Sequence, residues 1–554
     1  MGKPATCHTG VKHMGNEQYQ GISITISTAL AKEARSNYPD VAWAQNLPVY
    51  LLQRDDNEIT IYFNQLDEPQ KDWLYKRLAE EGNSTAANTI IGMRQAEKDP
   101  SNTEITTLKM FVQGLSRYLL HDTIDGWVYS IGAKGEQMPW LVNNIYLQEG
   151  RSAPPNVAVQ LIANSPQLSL DYTQRPVSRF LYFFADDLMP KRIADILAAK
   201  GYIKETPELK EQYRASLAKF SDYFVMHNAQ FIATRGGIEV DFDKGNRNSE
   251  RVAFEGPVKV VNDEGIMQRK FFTQLDSPLW SQFGKPYSEI PIHPKIFCFN
   301  LEAHTNMWIH VNNLTEYVYN PSLRDKLILP DSHRDLVDIL TQDMDVLMED
   351  IIPGKSGGTM ILCKGAPGLG KTLTAEVYAE LAERPLYRVH SGQLGVMSNE
   401  VEVNLDRILK RAQRWGAVML IDEADVYIRQ RGHDIDHNAV VASFLRTLEY
   451  FHGLLFLTTN RVNDVDDAIS SRCIATIVYE PPLPEAARRI WKVLAGQFEV
   501  KLSNKLIDDL VRQFDGISGR DIKELLKLSA KWCRQKEVKP SLKVFVSCSQ
   551  FRGM

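Results

Sequence analysis

The most informative segment of this chain is Gly365-Ala366-Pro367-Gly368-Leu369-Gly370-Lys371-Thr372. It follows the apolar segment Thr359–Lys364 and precedes a segment with helical periodicity, which is the setting of the phosphate-binding loop GxxxxGK[ST]. Glycines let successive backbone N–H groups converge on phosphate oxygens at a helix N-terminus. We therefore predict that Lys371 reaches the β- and γ-phosphates of a nucleotide and that the Thr372 hydroxyl binds Mg²⁺.

A second motif supplies two carboxylates. Val418-Met419-Leu420-Ile421-Asp422-Glu423 is an apolar strand pattern that ends in acids. Alone, such a run is more often a strand end with a solvated acid pair. With Lys371 upstream, it predicts that Asp422 holds Mg²⁺ through water and that Glu423 orients and polarises the attacking water.

Two polar residues follow at spacings that suit the same site. Asn460 ends the apolar strand pattern that begins at Leu455, and the C-terminal ends of parallel strands lie beside the nucleotide crevice. We expect Asn460 to help hold the attacking water or the γ-phosphate. Arg472 ends the segment Asp467–Arg472 and is spaced to project toward a neighbouring subunit's nucleotide, which makes it the candidate arginine finger.

The C-terminal part of the chain is helical in pattern. After Pro481 the apolar spacing is helical through Gln535, which predicts a small α domain appended to the sheet. Ser518 and Asp521 form a capping-box-like pair that places Arg520 in the first turn of a helix, where it can face the phosphates across the cleft. Alone, Arg520 would be interpreted as a surface arginine.

Short apolar runs alternate with helical patterns from Thr359 onward, which is typical of a parallel α/β sheet. The predicted strands are Thr359–Lys364, Leu386–His390, Ala417–Ile421, Leu454–Thr458 and Ile474–Tyr479.

This ordered set resembles the AAA+ ATPase family over about residues 325–545. Within the family, Thr372–Glu376, Arg384–Tyr387 and Phe444–Tyr450 resemble a single-module branch found in fungi and microbes. The resemblance implies a five-stranded core with a helical lid packed over the nucleotide, and an adenine pocket near residues 351–354. It also implies a ring-shaped homo-oligomer, commonly a hexamer, with active sites between subunits.

The resemblance also implies the cofactors ATP and Mg²⁺ and the reaction of an ATPase. Glu423 and Asn460 would act within a subunit and Arg472 across the interface, while Thr372 and Asp422 would serve the metal. The predicted nucleotide-binding residues are Gly365, Pro367, Gly368, Gly370, Lys371, Thr372, Leu373 and Arg520.

Two departures from the family pattern bear on mechanism. Threading members carry an aromatic-hydrophobic-glycine loop after the second strand, whereas this chain reads Gly395-Val396-Met397-Ser398-Asn399 there. The missing aromatic argues against processive threading, although Val396 and Met397 could make a softer contact. The finger region has one clear arginine, Arg472, where many relatives have two, and we interpret Arg461 as structural.

The region before the parallel sheet reads as α+β, and we predict that it forms two subdomains. Its candidate strands are Glu58–Phe63, Trp127–Ile131, Asn156–Ile162 and Phe231–Phe242, and its candidate helices are Leu188–Ala199 and Pro207–Met226. The predicted domains are residues 1–150 and 151–325 for these subdomains, 326–480 for the nucleotide-binding domain and 481–548 for the lid.

Composition narrows the classes of function. The chain has 554 residues with 64 Lys+Arg, 69 Asp+Glu and 44% hydrophobic residues, which excludes collagen-like, disordered and disulfide-scaffold classes. The net charge of −5 gives no global basic field, so nucleic acid is not the expected partner. No apolar run approaches the roughly 18 residues of a membrane span, and the scattered cysteines fit reduced thiols in the cytoplasm.

Three functions stay open at this point. The first is an ATP-driven protein remodeller whose N-terminal region binds a client or adaptor. The second is a regulatory or sensor ATPase, in stress or defence, that uses nucleotide-driven oligomerisation. The third and less favoured is a nucleic-acid motor or loader, since residues 485–543 hold 14 Lys+Arg against 8 Asp+Glu but lack interleaved aromatics.

Overall fold

The first part of the chain forms an α+β unit. The computed structural model describes residues 23–37, 58–131, 136–149, 154–166, 176–188, 191–240, 251–254, 256–281, 287–342 and 358–553. The elements of this unit are β1 (Ser23–Ser27), α1 (Thr28–Asn37), β2 (Glu58–Tyr62), α2 (Glu68–Glu80), α3 (Ser84–Lys98), β3 (Glu104–Ile105), α4 (Leu108–Leu120), β4 (Trp127–Ser130), β5 (Pro139–Gln148), β6 (Asn156–Ala163), β7 (Val177–Phe184), β8 (Lys191–Arg192), α5 (Ile193–Ala199), β9 (Tyr202–Lys204) and α6 (Pro207–Phe224).

The sheet of this unit bears on the predicted domain boundaries. Its five strands are antiparallel in the order β7-β6-β5-β4-β9. β5 pairs with β6 from Leu141 opposite Ile162 to Gln148 opposite Asn156. A boundary between residues 150 and 151 would therefore divide two paired strands of one sheet. The predicted helix Leu188–Ala199 begins later, at Ile193, because β8 precedes it.

A second antiparallel sheet, called here the middle sheet, follows along the chain. Its seven strands have the order β12-β11-β17-β16-β13-β10-β18. The single strand predicted over Phe231–Phe242 is two strands, because Gly236 turns the chain with a φ of +91° that favours glycine. This part of the chain contains β10 (Gln230–Ala233), β11 (Gly237–Val240), β12 (Arg251–Val252), β13 (Val258–Asn262), β14 (Gln274–Asp276), α7 (Pro278–Ser281), β15 (Tyr287–Glu289), β16 (Lys295–Asn300), β17 (Thr305–His310) and β18 (Leu314–Glu316). Of these strands, β14 and β15 pair in a separate two-stranded sheet.

The predicted parallel sheet is confirmed, with all five strands present and ordered β20-β21-β22-β19-β23. Apolar side chains on both faces pack against helices, as parallel sheets require. This module contains α8 (Asp331–Gln342), β19 (Thr359–Gly365), α9 (Lys371–Leu381), β20 (Leu386–His390), α10 (Ser391–Leu394), α11 (Ser398–Trp415), β21 (Val418–Asp422), α12 (Asp425–Ile428), α13 (Ile435–Leu448), β22 (Leu454–Thr459), α14 (Asp467–Arg472) and β23 (Ala475–Tyr479).

The C-terminal region is a helical lid with its own core, as predicted. Trp491 and Phe545 are fully buried and pack edge to face, with ring centroids 5.6 Å apart. Its helices are α15 (Pro484–Gln497), α16 (Asn504–Gln513), α17 (Gly519–Lys536) and α18 (Leu542–Gln550). Within the described ranges, no helix is both long and apolar enough to cross a membrane.

The middle sheet packs directly on the parallel-sheet module. The ring of Phe299 contacts those of Tyr387 and Trp415, with centroids 5.7 and 5.1 Å away. The buried Asp263 carboxylate accepts hydrogen bonds from the Arg414 guanidinium at 2.7–3.0 Å and from the Trp415 indole at 2.8 Å. These contacts join the N-terminal region to β20 and to the C-terminal end of α11.

A second contact joins the same sheet to α9. The carboxylate of Glu380, near the end of α9, accepts hydrogen bonds from Lys259 Nζ at 3.1 Å and from Tyr317 Oη at 2.5 Å. Because α9 begins at the phosphate loop, the N-terminal region contacts the helix that carries Lys371.

Candidate active site

Glycines shape the loop between β19 and α9. Gly368 and Gly370 have φ values of +82° and +100°, in the left-handed region that favours glycine. A Cβ atom on Gly365 would lie 2.4 Å from the carbonyl oxygen of Tyr479, so no side chain fits there. Gly370 is the N-cap of α9, and the loop therefore presents backbone N–H groups at a helix N-terminus.

Lys371 is held at the mouth of this loop. Its side chain is largely buried, and Nζ donates to the carbonyl oxygens of Gly365 and Ala366, each at 2.8 Å. A third hydrogen bond of 3.0 Å reaches Oδ1 of Asn460. Burial lowers the pKa of Lys371 from its ordinary value, while the nearby Asp422 carboxylate opposes the shift. This arrangement holds the Lys371 ammonium at the loop that would surround the phosphates of a nucleotide.

Asp422 is the centre of a group of oxygen atoms. Its Oδ1 accepts hydrogen bonds from Thr372 Oγ1 at 3.0 Å and from Thr458 Oγ1 at 2.5 Å. Burial raises the pKa of Asp422, but the Thr458 hydrogen bond and the charge of Arg388 outweigh it, so the pKa lies below its usual value. A carboxylate and a hydroxyl in contact suit a hard cation such as Mg²⁺.

Glu423 has an unusual backbone conformation. Its φ is +55°, the left-handed region that non-glycine residues adopt only with strain. Its N–H donates to Thr458 Oγ1 at 3.0 Å, and its exposed side chain lines the same cleft as Lys371. The residue that follows β21 thus lies in the wall of the cavity that the phosphate loop also lines.

Arg388 and Asp425 contact residues of the site, although neither was predicted from the sequence. Arg388 Nη2 donates to Asp422 Oδ2 at 2.5 Å. Asp425 Oδ1 accepts hydrogen bonds from the Thr459 hydroxyl and from the Asn460 N–H, the latter at 3.2 Å, and so fixes the end of β22. The sequence does show an arginine inside a predicted strand and a third acid shortly after the Asp-Glu pair, but it does not show the partner of either residue.

The lid closes one side of the cleft. The Arg520 N–H donates to the carbonyl oxygen of Gly368 at 3.2 Å, and the Ser518 hydroxyl caps α17 by accepting from the Asp521 N–H at 3.2 Å. Arg520 thus lies in the first turn of its helix, as predicted. Pro367, Gly368, Gly370, Lys371, Thr372, Leu373, Asp422, Glu423, Asn460 and Arg520 all line one cavity of about 1470 Å³.

Apolar residues from the segment before α8 and from α15 of the lid also line this cavity. They include Leu327, Leu329, Ile490, Val493 and Leu494. A planar base could be covered there by the segment before α8 and by α15 of the lid. The adenine pocket predicted at residues 351–354 lies outside the described residues.

Arg472 lies apart from these groups, since it is absent from the described residues that line the cavity. Its Nη2 is 3.7 Å from Glu449 Oε2, and its side chain is 37% exposed. Arg461 forms an ion pair of 2.7 Å with Asp464. The structure thus places the Arg472 side chain on the surface of the chain.

The loop that follows β20 and α10 is also exposed. Val396 and Met397 have 77% and 61% of their surfaces accessible, which is unusual for apolar side chains. The loop is held at its base, because the Tyr427 hydroxyl donates to the carbonyl oxygens of Ser391 and Gly395 at 2.6 and 2.7 Å.

Comparisons with known proteins agree with this geometry. Residues 361–480 match the model of the ATPase family associated with various cellular activities (AAA). The chain is 28% identical over 179 residues to a mitochondrial sorting homolog of Caenorhabditis elegans, covering 30% of this chain and 52% of the relative. It is 30% identical over 197 residues to Fidgetin-like protein 1 of Homo sapiens, covering 33% of this chain and 29% of the relative.

A solved structure, the FIGL-1 AAA domain in complex with ADP, matches 41% of this chain and 83% of its own chain. Its sequence identity is 19% and its TM-score 0.34, so the assignment depends on the family model instead. The chain spans about half the length, or less, of the curated relatives it matches. Residues 361–480 of this chain therefore form an AAA ATPase domain.

Proposed function

We propose that the chain hydrolyses ATP to ADP and phosphate in the cleft between the parallel-sheet module and the lid. The observation that carries this proposal is the convergence on one cavity of Lys371, Asp422, Glu423, Asn460 and Arg520, which come from distant parts of the sequence. The family model supports the same reaction class.

Each residue has a role that its position supports. The loop N–H groups and Lys371 bind the phosphates, and Arg520 brings a positive charge from the lid. Thr372 and Asp422 would hold Mg²⁺, which neutralises charge on the phosphates when bound. Glu423 orients and deprotonates the attacking water, and Asn460 positions it beside Lys371.

The chain acts as a ring-shaped homo-oligomer, a hexamer by family resemblance, in which Arg472 reaches the nucleotide of the neighbouring subunit. Two observations support this role: the Arg472 side chain is exposed, and Arg472 is not among the described residues that line the cavity of its own chain. Such a finger stabilises negative charge that develops during phosphoryl transfer. Mass photometry with and without ATP measures the assembly directly.

The N-terminal region recognises a protein client, which the ring remodels or disassembles. The contacts of Glu380 with Lys259 and Tyr317 support this coupling, because they join the middle sheet to the helix that carries Lys371. A movement of α9 on nucleotide exchange would therefore reach the N-terminal region directly.

The test of client remodelling is a trap experiment. Glu423→Gln should keep ATP bound without hydrolysis, so a client should stay associated in ATP and not in its absence. Lys371→Ala is the matched control, since it should lose nucleotide and client together. Capture of the same protein by both variants, or of none by Glu423→Gln, would contradict the proposal.

A regulatory or sensor ATPase is the second candidate, and the loop with Val396 and Met397 favours it. Because this loop has no aromatic side chain, it should bind an extended polypeptide only weakly. Under this proposal the protein assembles with ATP and turns it over slowly, and no client is unfolded. ATP-dependent assembly with an empty trap would distinguish it from the first candidate.

A further inference from the structure

Arg388 occupies a position that the proposed hydrolytic mechanism does not use. It lies on β20 and lines the nucleotide cavity. Its Nη2 is 2.5 Å from Asp422 Oδ2, and its Nη1 is 3.8 Å from Glu376 Oε1. Its Nε is buried with no hydrogen-bond partner among the residues that the structure describes. The two carboxylates, and chiefly Asp422, therefore hold this guanidinium.

The two oxygens of Asp422 serve different partners. Oδ1 accepts from the hydroxyls of Thr372 and Thr458, whereas Oδ2 accepts from Arg388. A divalent cation bound at Thr372 and reaching Asp422 through water would therefore lie close to a guanidinium of like charge. Like charges at such short range repel each other, and the repulsion is weakest where solvent screens it.

The strand that carries Arg388 is fixed on both of its sides. β20 pairs with β21 over its whole length, from Leu386 to His390. On the opposite side, the His304 ring hydrogen-bonds to the backbone of Arg388 and stacks on Tyr387 at 5.4 Å. The Arg388 side chain is 41% exposed, so it can leave Asp422 by rotating while its backbone stays in place.

We propose that the Arg388 guanidinium substitutes for the divalent cation at Asp422 when the cation is absent, and competes with it when nucleotide binds. This inference rests on the proposed ATPase function and adds a control of its cation dependence. Arg388 is a positioning residue that acts through Asp422. In this role Arg388 lets nucleotide bind without Mg²⁺, because a positive charge stays near the phosphates. It also reduces the gain in nucleotide affinity that Mg²⁺ provides.

The proposal is tested by measuring how strongly Mg²⁺ and nucleotide binding are linked. The dissociation constant of a fluorescent ADP analogue is measured on the full chain in EDTA and in saturating MgCl₂, and the ratio of the two is the coupling factor. Arg388→Met should weaken binding in EDTA and leave it equal or tighter in MgCl₂, so the ratio should rise roughly 10-fold. Arg388→Lys keeps the charge and should stay within about twofold of wild type.

Arg446→Met is the matched control, because Arg446 pairs with Glu402 at 2.6 Å on the surface and is not among the described residues that line the cavity. Its coupling factor should equal that of wild type. An unchanged ratio in folded Arg388→Met would overturn the proposal, and Arg388→Gln replaces that variant if it does not fold. Wild-type protein that binds no ADP in either buffer would instead contradict the proposed ATPase function.

Discussion

The ammonium of Lys371 donates a hydrogen bond of 3.0 Å to Oδ1 of Asn460. This contact joins the phosphate loop to the end of the neighbouring strand, because β19 and β22 pair in parallel with Lys364 opposite Thr459. The residue that should bind phosphate and the residue that should position water are therefore one unit in this structure.

Substitution of the two partners should separate binding from chemistry. Lys371→Ala should weaken ADP binding roughly 10- to 100-fold, since a charge-assisted hydrogen bond contributes about 1.5–3 kcal/mol. Asn460→Ala should lower kcat while ADP binding changes little. Fluorescence titration and phosphate release measure the two effects. Equal losses of binding in both variants would contradict this division.

The lowered pKa of Lys371 gives a dependence on pH. The protonated ammonium binds phosphate, so affinity should fall as the pH rises through the pKa of this group. Because burial places that pKa below the ordinary 10.5, the loss should begin at lower pH than for an exposed lysine. Titration of the ADP analogue across alkaline pH measures this shift, with Arg446→Met as the control, because Arg446 is not among the described residues that line the cavity.

Glu423→Gln should separate ATP binding from hydrolysis. The amide keeps the size of the side chain but cannot accept a proton from water, so kcat should fall about 10²- to 10⁴-fold. The ATP dissociation constant should stay within about twofold of wild type, because Lys371 and the loop N–H groups are unchanged. Single-turnover hydrolysis with radiolabelled ATP checks this, and Glu402→Gln, on the surface, serves as the control.

Much of the site could be predicted from sequence because it follows from local patterns. A phosphate loop, the polar ends of parallel strands and a helix cap all have short-range signals. The residues selected by these signals, among them Lys371, Asp422, Asn460 and Arg520, line one cavity. Arg388 was not found, because an arginine inside a strand shows its partner only when the neighbouring strand is in register with it.

The N-terminal region was predicted less well for a related reason. Its antiparallel sheets depend on pairings distant in sequence, such as β10 with β18. The left-handed turn at Gly236 divides the strand predicted over Phe231–Phe242, although the dipeptide Gly236-Gly237 is itself a turn signal. Packing of Phe299 on Tyr387 and Trp415 likewise follows from tertiary structure alone.

Asp263→Asn should destabilise the contact between the middle sheet and the parallel-sheet module. The buried carboxylate accepts hydrogen bonds from Arg414 and Trp415, so the amide would leave a guanidinium without its counter-charge. We expect the free energy of unfolding to fall by about 2 kcal/mol. Urea unfolding measures it, with Glu402→Gln in a surface pair as a control that should change it by less than about 0.5 kcal/mol.

Acid should weaken the first α+β unit through His293. Burial lowers the pKa of this ring to about 3 from 6.5, and its nitrogens lie 2.9 Å from Ser165 Oγ and 2.9 Å from the Pro139 carbonyl oxygen. As the pH falls below 6.5 the unfolded chain takes up a proton that the folded chain does not. Stability should therefore fall by about 2 kcal/mol between pH 6.5 and pH 5.

The contribution of His293 is isolated by comparing how steeply the free energy of unfolding changes with pH in wild type and in variants. His293→Asn should lose stability less steeply over the same pH range, whereas His433→Asn, at an exposed position, should behave as wild type. Urea unfolding followed by tryptophan fluorescence at several pH values supplies the slopes. Parallel curves for wild type and His293→Asn would contradict the assignment.

Arg472→Ala should abolish turnover while each subunit still binds ATP, because Arg472 lies outside its own cleft and near Glu449. Loss of an arginine finger lowers kcat about 10³- to 10⁵-fold. Arg512→Ala, in an exposed ion pair of the lid, is the control that should keep activity. Phosphate release and ATP titration measure the two quantities.

The action of Arg472 across an interface has its own test in mixed rings. Arg472→Ala subunits carry an intact phosphate loop, and Lys371→Ala subunits carry an intact finger. When the two are mixed, some interfaces combine both intact parts, so turnover should return in part and should depend on the mixing ratio. If mass photometry confirms mixed assemblies and turnover stays absent, Arg472 does not act in trans.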